Sequence, residues 1–488
     1  MPEVTRPRDP GERTRAPGAN ALVPAALFLW ALSLVWRNWG TFSPDLSSLY
    51  VAGHLWSIGR IDLLYAAPDQ FFGGEAAAWR PYFDALGIPK GHYAFPFIYP
   101  PAWAALLAPV TQGLSLATFH KVALIANSGL VAAAIPIAHR LARGPLPLWR
   151  WALTSVLLVE AMTPSQSAIQ MNQPTILVTF LVILAFERQT AGRPMAAGLT
   201  LAAAAALKLT PIGFAIFFLW RRDWRAIGWL GAGLAACLVA DRLIAGKGAE
   251  ALYLEALTRA GASTLLCAIN ISARAVIAYG WALMAGVPMT VAPNLAIFTL
   301  PPGAAHIVSA LCLAGSALIL LTFARRLGRL RTGPQAALAL FILSVALFLF
   351  GPLGWQHYFL LPALLLPAFA GLGPRQSVLA AALPVFATGN VLLFNLMDSL
   401  HVAPLPHVAL AVAGWLLTLA LIYRLLPAAA GAGAFSPPLG PFSLAPGTAM
   451  AINPGNLPAG GPHAEENRHP VDHDHRGGTN RHRSGLRV

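Results

Sequence analysis

Asp45, in the stretch FSPDLSSLYVAGHLWS, is the first carboxylate after the first apolar run of the chain, and Asp62 follows it in RIDLLY. An acid held against a membrane surface can act as a general base on a hydroxyl, provided it reaches the proton. Before LSSLYVAGHLW the same side chain also suits a helix N-cap, accepting from a free backbone N–H. Asp62, near a second helical start, offers the same two roles. AIQMNQP places Gln170, Asn172 and Gln173 just before an apolar run, where neutral amides hydrogen-bond sugar hydroxyls or satisfy a helix terminus. Lys208 closes the alanine-rich LAAAAALKLTP and either snorkels to lipid phosphates or holds one phosphate as a point charge. In NISAR, Arg274 is a second cation, with Asn270 and Ser272 as hydrogen-bonding neighbours. His357, in GWQHYFLL, is a phosphate ligand or a satisfied interfacial histidine, beside aromatics of the kind that line membrane interfaces.

None of these signals is specific alone. Together they form an acid, several amides, two cations and a histidine, the set needed by a transferase that uses a lipid-phosphate sugar. The base takes the acceptor proton, the cations stabilise charge growing on the leaving phosphate, and the amides orient the sugar. The chain has no P-loop and no Gly-rich dinucleotide fingerprint. It has no acidic cluster suited to a hard divalent cation either, so neither metal nor other cofactor is expected.

These residues hang on a frame of membrane helices. The chain is 57% hydrophobic and 11% charged, with mean hydropathy +0.61, whereas soluble domains carry about 25% charged residues. Apolar runs near the ~20 residues that cross a bilayer recur along most of it. The net charge of +14 does not indicate nucleic acid, because the arginines cluster at the ends of apolar runs as the positive-inside bias requires. The three cysteines offer no disulfide framework and no metal spacing.

The arginine clusters HRLARGPLPLWR, ERQTAGR, RRDWR and ARRLGRLR mark a cytoplasmic side. An all-α polytopic membrane protein of about twelve crossings follows, with both termini inside. Two stretches, 97–112 and 270–288, break the alternation. Pro100, Pro101 and Pro109 in the first, and Arg274 in the second, suit interfacial or re-entrant helices in the outer loops. The connections bearing Asp45, AIQMNQP, KLTP and GWQHY then share one outer face. Lys208 and His357 lie between apolar runs, and an ionisable group at membrane depth is by default functional. The expected organisation is a cytoplasmic segment at 1–19, one membrane domain at 20–426, and a disordered Pro/Gly/His-rich cytoplasmic tail at 427–488. HDH in that tail leaves metal binding as the lesser alternative.

The order of D-x-x-x-x-Y after the first run, FxYPP, Q-x-N-Q, AAGLTLAAAAALKLTP, RRDW, N-x-S and GWQHYFLLP resembles glycosyltransferase family 87 across roughly residues 20–425. This is a group of polyprenyl-phosphate-mannose-dependent mannosyltransferases in the GT-C superfamily, formerly a domain of unknown function. The resemblance implies a GT-C fold and inverting transfer of a sugar from a polyprenyl-phosphate donor. The acceptor would be a glycolipid or glycan at the extracytoplasmic face of the plasma (inner) membrane. Asp45 matches the family's first-loop acid, Lys208 the lysine of its K-x-x-P-like element, His357 the histidine of W-x-H, and Asn270 with Ser272 the N-x-S element. Where the family has GQ before the asparagine, this chain has Ile169-Gln170. The implied roles are Asp45 as base; Lys208, Arg274 and His357 at the donor phosphate; and Gln170, Asn172, Gln173, Asn270, Ser272 and Asp62 at sugar or acceptor.

A lipid or solute transporter or flippase would also explain the spans and the broken helix near Pro211. A long, aromatic-rich first outer loop and the lack of a duplicated half weigh against it. A further alternative keeps the architecture and changes the lipid-linked sugar to arabinose or glucose.

Overall fold

The computed structural model describes residues 17–426, except 145, 293, 331, 373 and 374. Most of the expected N-terminal segment and the whole tail 427–488 lie outside the described residues. Among the described residues, six helices are long and apolar enough to cross a membrane: Ala19–Arg37, Leu116–Ala142, Trp224–Ala262, Pro302–Leu327, Gly333–Phe350 and Pro404–Leu425. Other apolar runs fold as shorter helices, including Leu148–Ala161 with 14 residues, Thr175–Thr190 with 16 and Pro194–Leu207 with 14. At ~1.5 Å per residue these reach about 21–24 Å, less than a hydrocarbon core of ~30 Å. Both stretches that break the alternation are shorter still. Pro101–Gly113 has 13 residues and Ala273–Met284 has 12.

Two breaks shape the frame. Trp224–Ala262 is interrupted at Gly246, where φ is +75°, a conformation that glycine adopts without steric cost. The following half then turns toward the first loop, where Ala256 and Ala260 join that loop's core. The run after GWQHY becomes a short 3₁₀ turn, the helix Leu360–Leu365 and a second 3₁₀ segment. Leu360 to Phe369 is buried throughout, as broken backbone at membrane depth requires.

A small sheet also departs from the all-helical expectation. β1 (Ser263–Cys267), β2 (Met289–Ala292) and β3 (Leu295–Thr299) form an antiparallel sheet in the order β1-β3-β2. Ser263 pairs with Thr299, and Cys267 with Leu295. The strands are four- and five-residue runs flanking Ala273–Met284, too brief to register against the surrounding apolar helices.

The first loop has its own core of Leu46, Val51, Leu55, Tyr65, Phe71, Trp79 and Phe97. Within it, helix Pro44–Ser57 lies on Pro101–Gly113. A Cβ at Gly53 would stand 2.9 Å from Leu107 Cβ, so glycine permits this approach. The supporting helix is itself held: Ala102 N donates to Asp241 Oδ1 at 2.8 Å, and Trp103 Nε1 to Ala206 O at 2.9 Å. Across the bundle, Glu160 takes both Arg37 Nη atoms at 2.8 and 2.6 Å and Trp30 Nε1 at 2.7 Å, tying the first span to Leu148–Ala161.

Candidate active site

The helix bearing Asp45 is capped by another residue. Ser43 is the N-cap, its Oγ accepting from Leu46 N at 3.0 Å, and Pro44 occupies the first helical position. Asp45 sits in the first turn with its carboxylate not used as a cap, so the N-cap alternative is replaced by Ser43. The Ser43 hydroxyl also donates to Met171 O, and Phe95 N donates to Pro44 O at 3.4 Å. Asp45 is thereby fastened beside the AIQMNQP turn.

That turn is built around Asn172, whose φ is +46°; asparagine tolerates the left-handed region better than most residues. Its Oδ1 accepts from Asn127 Nδ2 at 2.8 Å, and its Nδ2 donates to His120 O at 2.8 Å. The Asn172 amide is thus committed to holding the turn. The turn delivers the next residue, Gln173, whose amide lowers the pKa of Asp45. Gln173 Nε2 is buried and makes no well-formed hydrogen bond, so it faces the acid with donor capacity in reserve.

Lys208 ends Pro194–Leu207, where the backbone turns extended ahead of the 3₁₀ segment Thr210–Phe214. Its ammonium lies 4.2 Å from the centre of the Tyr358 ring and 3.5 Å from Thr175 Oγ1. It has no carboxylate within salt-bridge distance among the described residues. It is nevertheless within electrostatic reach of Asp45. Burial pushes the acid up to about 6, against the lowering effects of Gln173 and then Lys208. Burial pushes the lysine down to about 8, against the raising effect of Asp45.

The third arm is the loop after Phe350. Gly354 N donates to Asn270 Oδ1 at 2.9 Å, Asn270 Nδ2 donates to Leu265 O at 2.6 Å, and Gln356 N donates to Ile269 O at 2.7 Å. A Cβ at Gly354 would meet Ile271 O at 2.3 Å, so no larger residue fits. This clamp sets His357, which is buried, with its Nε2 unpartnered. Burial, and then Lys208, hold the imidazole well below its usual pKa. It is therefore a neutral group that can donate or accept.

The structure brings together Asp45, Gln173, Lys208 and His357 by these mutual effects. It adds four residues that the sequence did not single out for chemistry: Tyr93, Tyr99, Thr175 and Tyr358. Tyr99 and Tyr358 are pushed upward by burial and by neighbours that include Asp45, so both stay protonated donors. Tyr99 stands in the FxYPP element, the one signal that could have marked it, whereas Tyr358 reads as part of an aromatic belt.

The other expected site residues lie elsewhere or serve the frame. Gln170 is exposed. Asp62 is exposed and paired with Arg60 at 2.9 Å. Ser272 caps Ala273–Met284 through Ala275 N at 3.3 Å. Arg274 is buried, donates to Gly261 O at 2.9 Å, and has Cys312 as its electrostatic neighbour.

A desolvated acid beside a lysine, a neutral imidazole and tyrosine hydroxyls can remove a proton at one end and receive negative charge at the other. The model of glycosyltransferase family 87 matches residues 97–352, just over half of the chain. The chain belongs to glycosyltransferase family 87. The family match contains Gln173 and Lys208, while Asp45 lies well before its first residue and His357 just beyond its last. This family 87 member is also 26% identical over 379 residues to a curated protein of Mycobacterium tuberculosis, covering 72% of this chain and 78% of that one. That relative is a polyprenol-phosphate-mannose-dependent alpha-(1-2)-phosphatidylinositol mannoside mannosyltransferase. Its family and its apolar helices make the chain a multi-pass membrane glycosyltransferase.

Proposed function

We propose that this glycosyltransferase moves mannose from a polyprenyl-phosphate donor to a hydroxyl of a glycolipid or glycan acceptor, at the extracytoplasmic face of the plasma membrane. The observation that carries this reading is the juxtaposition of Asp45 with Lys208 and His357 across three separated chain segments. The relative's donor supports mannose. A GT-C architecture of about twelve crossings, several of them short and covered by protein, is part of the same proposal.

In the proposed step, Asp45 takes the proton of the acceptor hydroxyl. The oxygen attacks the anomeric carbon from the face opposite phosphate, and the new C–O bond forms as the bond to the phosphate oxygen breaks. The electron pair leaves on that oxygen, giving inversion and a free polyprenyl phosphate. Lys208 meets the charge growing there, and neutral His357 and Tyr358 supply hydrogen bonds. Gln173, its amide beside Asp45, orients the sugar. Val178, Val182, Phe214, Phe348 and Leu361 line a small apolar crevice beside Lys208, and the donor's apolar chain would approach along this face, the side chains parting to admit it.

The test uses protein purified in detergent with polyprenyl-phosphate [¹⁴C]mannose and candidate glycolipids. Transfer of label to acceptor, with release of polyprenyl phosphate, is expected. Transfer only from arabinosyl or glucosyl donors would move the reading to another sugar. Solute uptake by proteoliposomes without any sugar transfer would overturn it in favour of a transporter.

A further inference from the structure

Beyond the reacting groups, the first loop carries a cleft of about 550 Å³, within the ~300–1,000 Å³ usual for small-molecule sites. It is bordered by helix Arg80–Leu86 and the Gly73–Gly74 and Pro89–Tyr93 turns. Its charged side chains are of mixed sign, Glu75 and Asp84 against Arg80 and Lys90, with the His92 ring beside them and Tyr93 as an aromatic wall. Glu75 and Arg80 are ion-paired with each other, which leaves Asp84, Lys90 and His92 as polar groups toward a ligand. The Tyr93 ring is braced edge-on by Phe95 at 5.2 Å between ring centres.

One wall of the cleft adjoins the segment that carries Asp45. Tyr93 is electrostatically coupled to both Asp45 and Glu75. His92 packs its ring on Phe42 at 4.6 Å, and Phe95 N holds Pro44 O, so one wall of the cleft is the segment that fastens the Asp45 helix. A charged lipid phosphate would require one dominant sign. Carboxylate, ammonium and imidazole groups beside a rigid aromatic face instead match a neutral polyol, whose hydroxyls both donate and accept and whose C–H faces lie on a ring.

We propose that this cleft is the acceptor's glycan subsite, holding the hydroxyl-rich oligosaccharide behind the residue presented to Asp45, so that acceptors of several sugars are preferred to single-sugar ones. This rests on the glycosyl-transfer reading. Asp84 and Lys90 are exposed and outside the reacting group, so their substitution should leave the chemical step intact.

The experiment compares octyl α-mannoside with octyl oligomannosides of two to four sugars as acceptors. In Lys90→Ala, Asp84→Asn and the cleft-filling Asp84→Tyr, KM for the longer acceptors should rise about tenfold, the effect of losing one hydrogen bond to a charged group. The kcat should stay within about twofold of the unaltered protein, and KM for octyl α-mannoside should not change. Asp69→Asn, on the same loop outside the cleft, should change nothing. Equal KM values across acceptor lengths in the unaltered protein, or KM values for the longer acceptors left unchanged in all three variants, would overturn the proposal. Binding of an oligomannoside to Asp45→Asn protein, read by saturation-transfer NMR, separates this idea from the catalytic one. Binding that Asp84→Tyr abolishes supports the cleft even if no transfer is found. Absence of binding, or binding that Asp84→Tyr leaves intact, removes the cleft whatever the transfer assay shows.

Discussion

Two aspartates of the first loop differ in almost every respect that matters to chemistry. Asp45 lies in the first turn of Pro44–Ser57, half-buried, with Lys208 and Gln173 as its electrostatic partners, and its carboxyl is pushed up to about 6 by burial. Asp62 lies in the exposed turn Ile61–Leu63, and the Arg60 guanidinium holds its carboxyl below the usual range. Residue type, helical start and loop are shared. The difference comes from what the fold packs around each one. Dehydration disfavours a lone charge and brings an acid closer to the pKa of a useful base, while an exposed ion pair fixes the charge and removes that reactivity.

The comparison is sharpest in activity. Asp45→Asn should reduce kcat by roughly 10²–10⁴-fold, the usual contribution of a general base, whereas Asp62→Asn should stay within about twofold. Similar losses in both, measured in the labelled-mannose assay, would erase the distinction.

Lys208 sharpens it next. Lys208→Met should lower kcat by about 10²–10³-fold, as removal of a charge-stabilising group does. The pH profile of the unaltered protein should rise through about 6 as Asp45 ionises and fall above about 8 as Lys208 loses its proton. Lys208→Met should abolish the alkaline limb. It should also move the acid limb to higher pH, because Lys208 lowers the Asp45 pKa. Asp62→Asn should leave both limbs in place; a shifted acid limb in that variant would break the comparison.

The smallest effect is on stability, and its sign differs between the two acids. The raised pKa of Asp45 means that the folded state binds the proton more tightly than the unfolded one, so this group's contribution falls as pH rises from about 4 through about 6. Asp62 has a lowered folded pKa, so its contribution is present above the usual carboxylate value and is lost as pH falls. At pH 7, Asp45→Asn should therefore raise Tm by a few degrees, and Asp62→Asn should leave it unchanged or slightly lower. A lower Tm for Asp45→Asn at pH 7 would mean that the site stabilises the ionised acid rather than straining it.

Much of the frame is legible along the chain. Apolar runs with arginines at their ends mark membrane helices, and the stretches 97–112 and 270–288 hold the short helices Pro101–Gly113 and Ala273–Met284. Asp45, Gln173, Lys208 and His357 could be picked out as ionisable or amide groups in apolar surroundings. Asn172 and Asn270 show where such reading stops. Both stand in motif-like stretches, yet the first holds a left-handed turn through Asn127 and His120, and the second clamps Gly354 and Leu265. An amide that binds backbone and one that binds sugar have the same letter and the same local neighbours. The three-stranded sheet went unseen because four- and five-residue strands carry too little periodicity to stand out beside long apolar helices.

Hydropathy and the positions of charged residues are sums over neighbours in sequence. The membrane class, the helical character and the polar residues worth attention therefore follow from the chain alone. Whether a given polar residue caps, clamps or reacts depends on partners that range from a few to well over a hundred positions away. Ser43 relieves Asp45 of capping and binds Met171, while Lys208 and Gln173 approach the acid from connections at the ends of other helices. Only the tertiary structure decides that, because desolvation and electrostatic pairing are set by distance in space, to which separation along the chain is no guide.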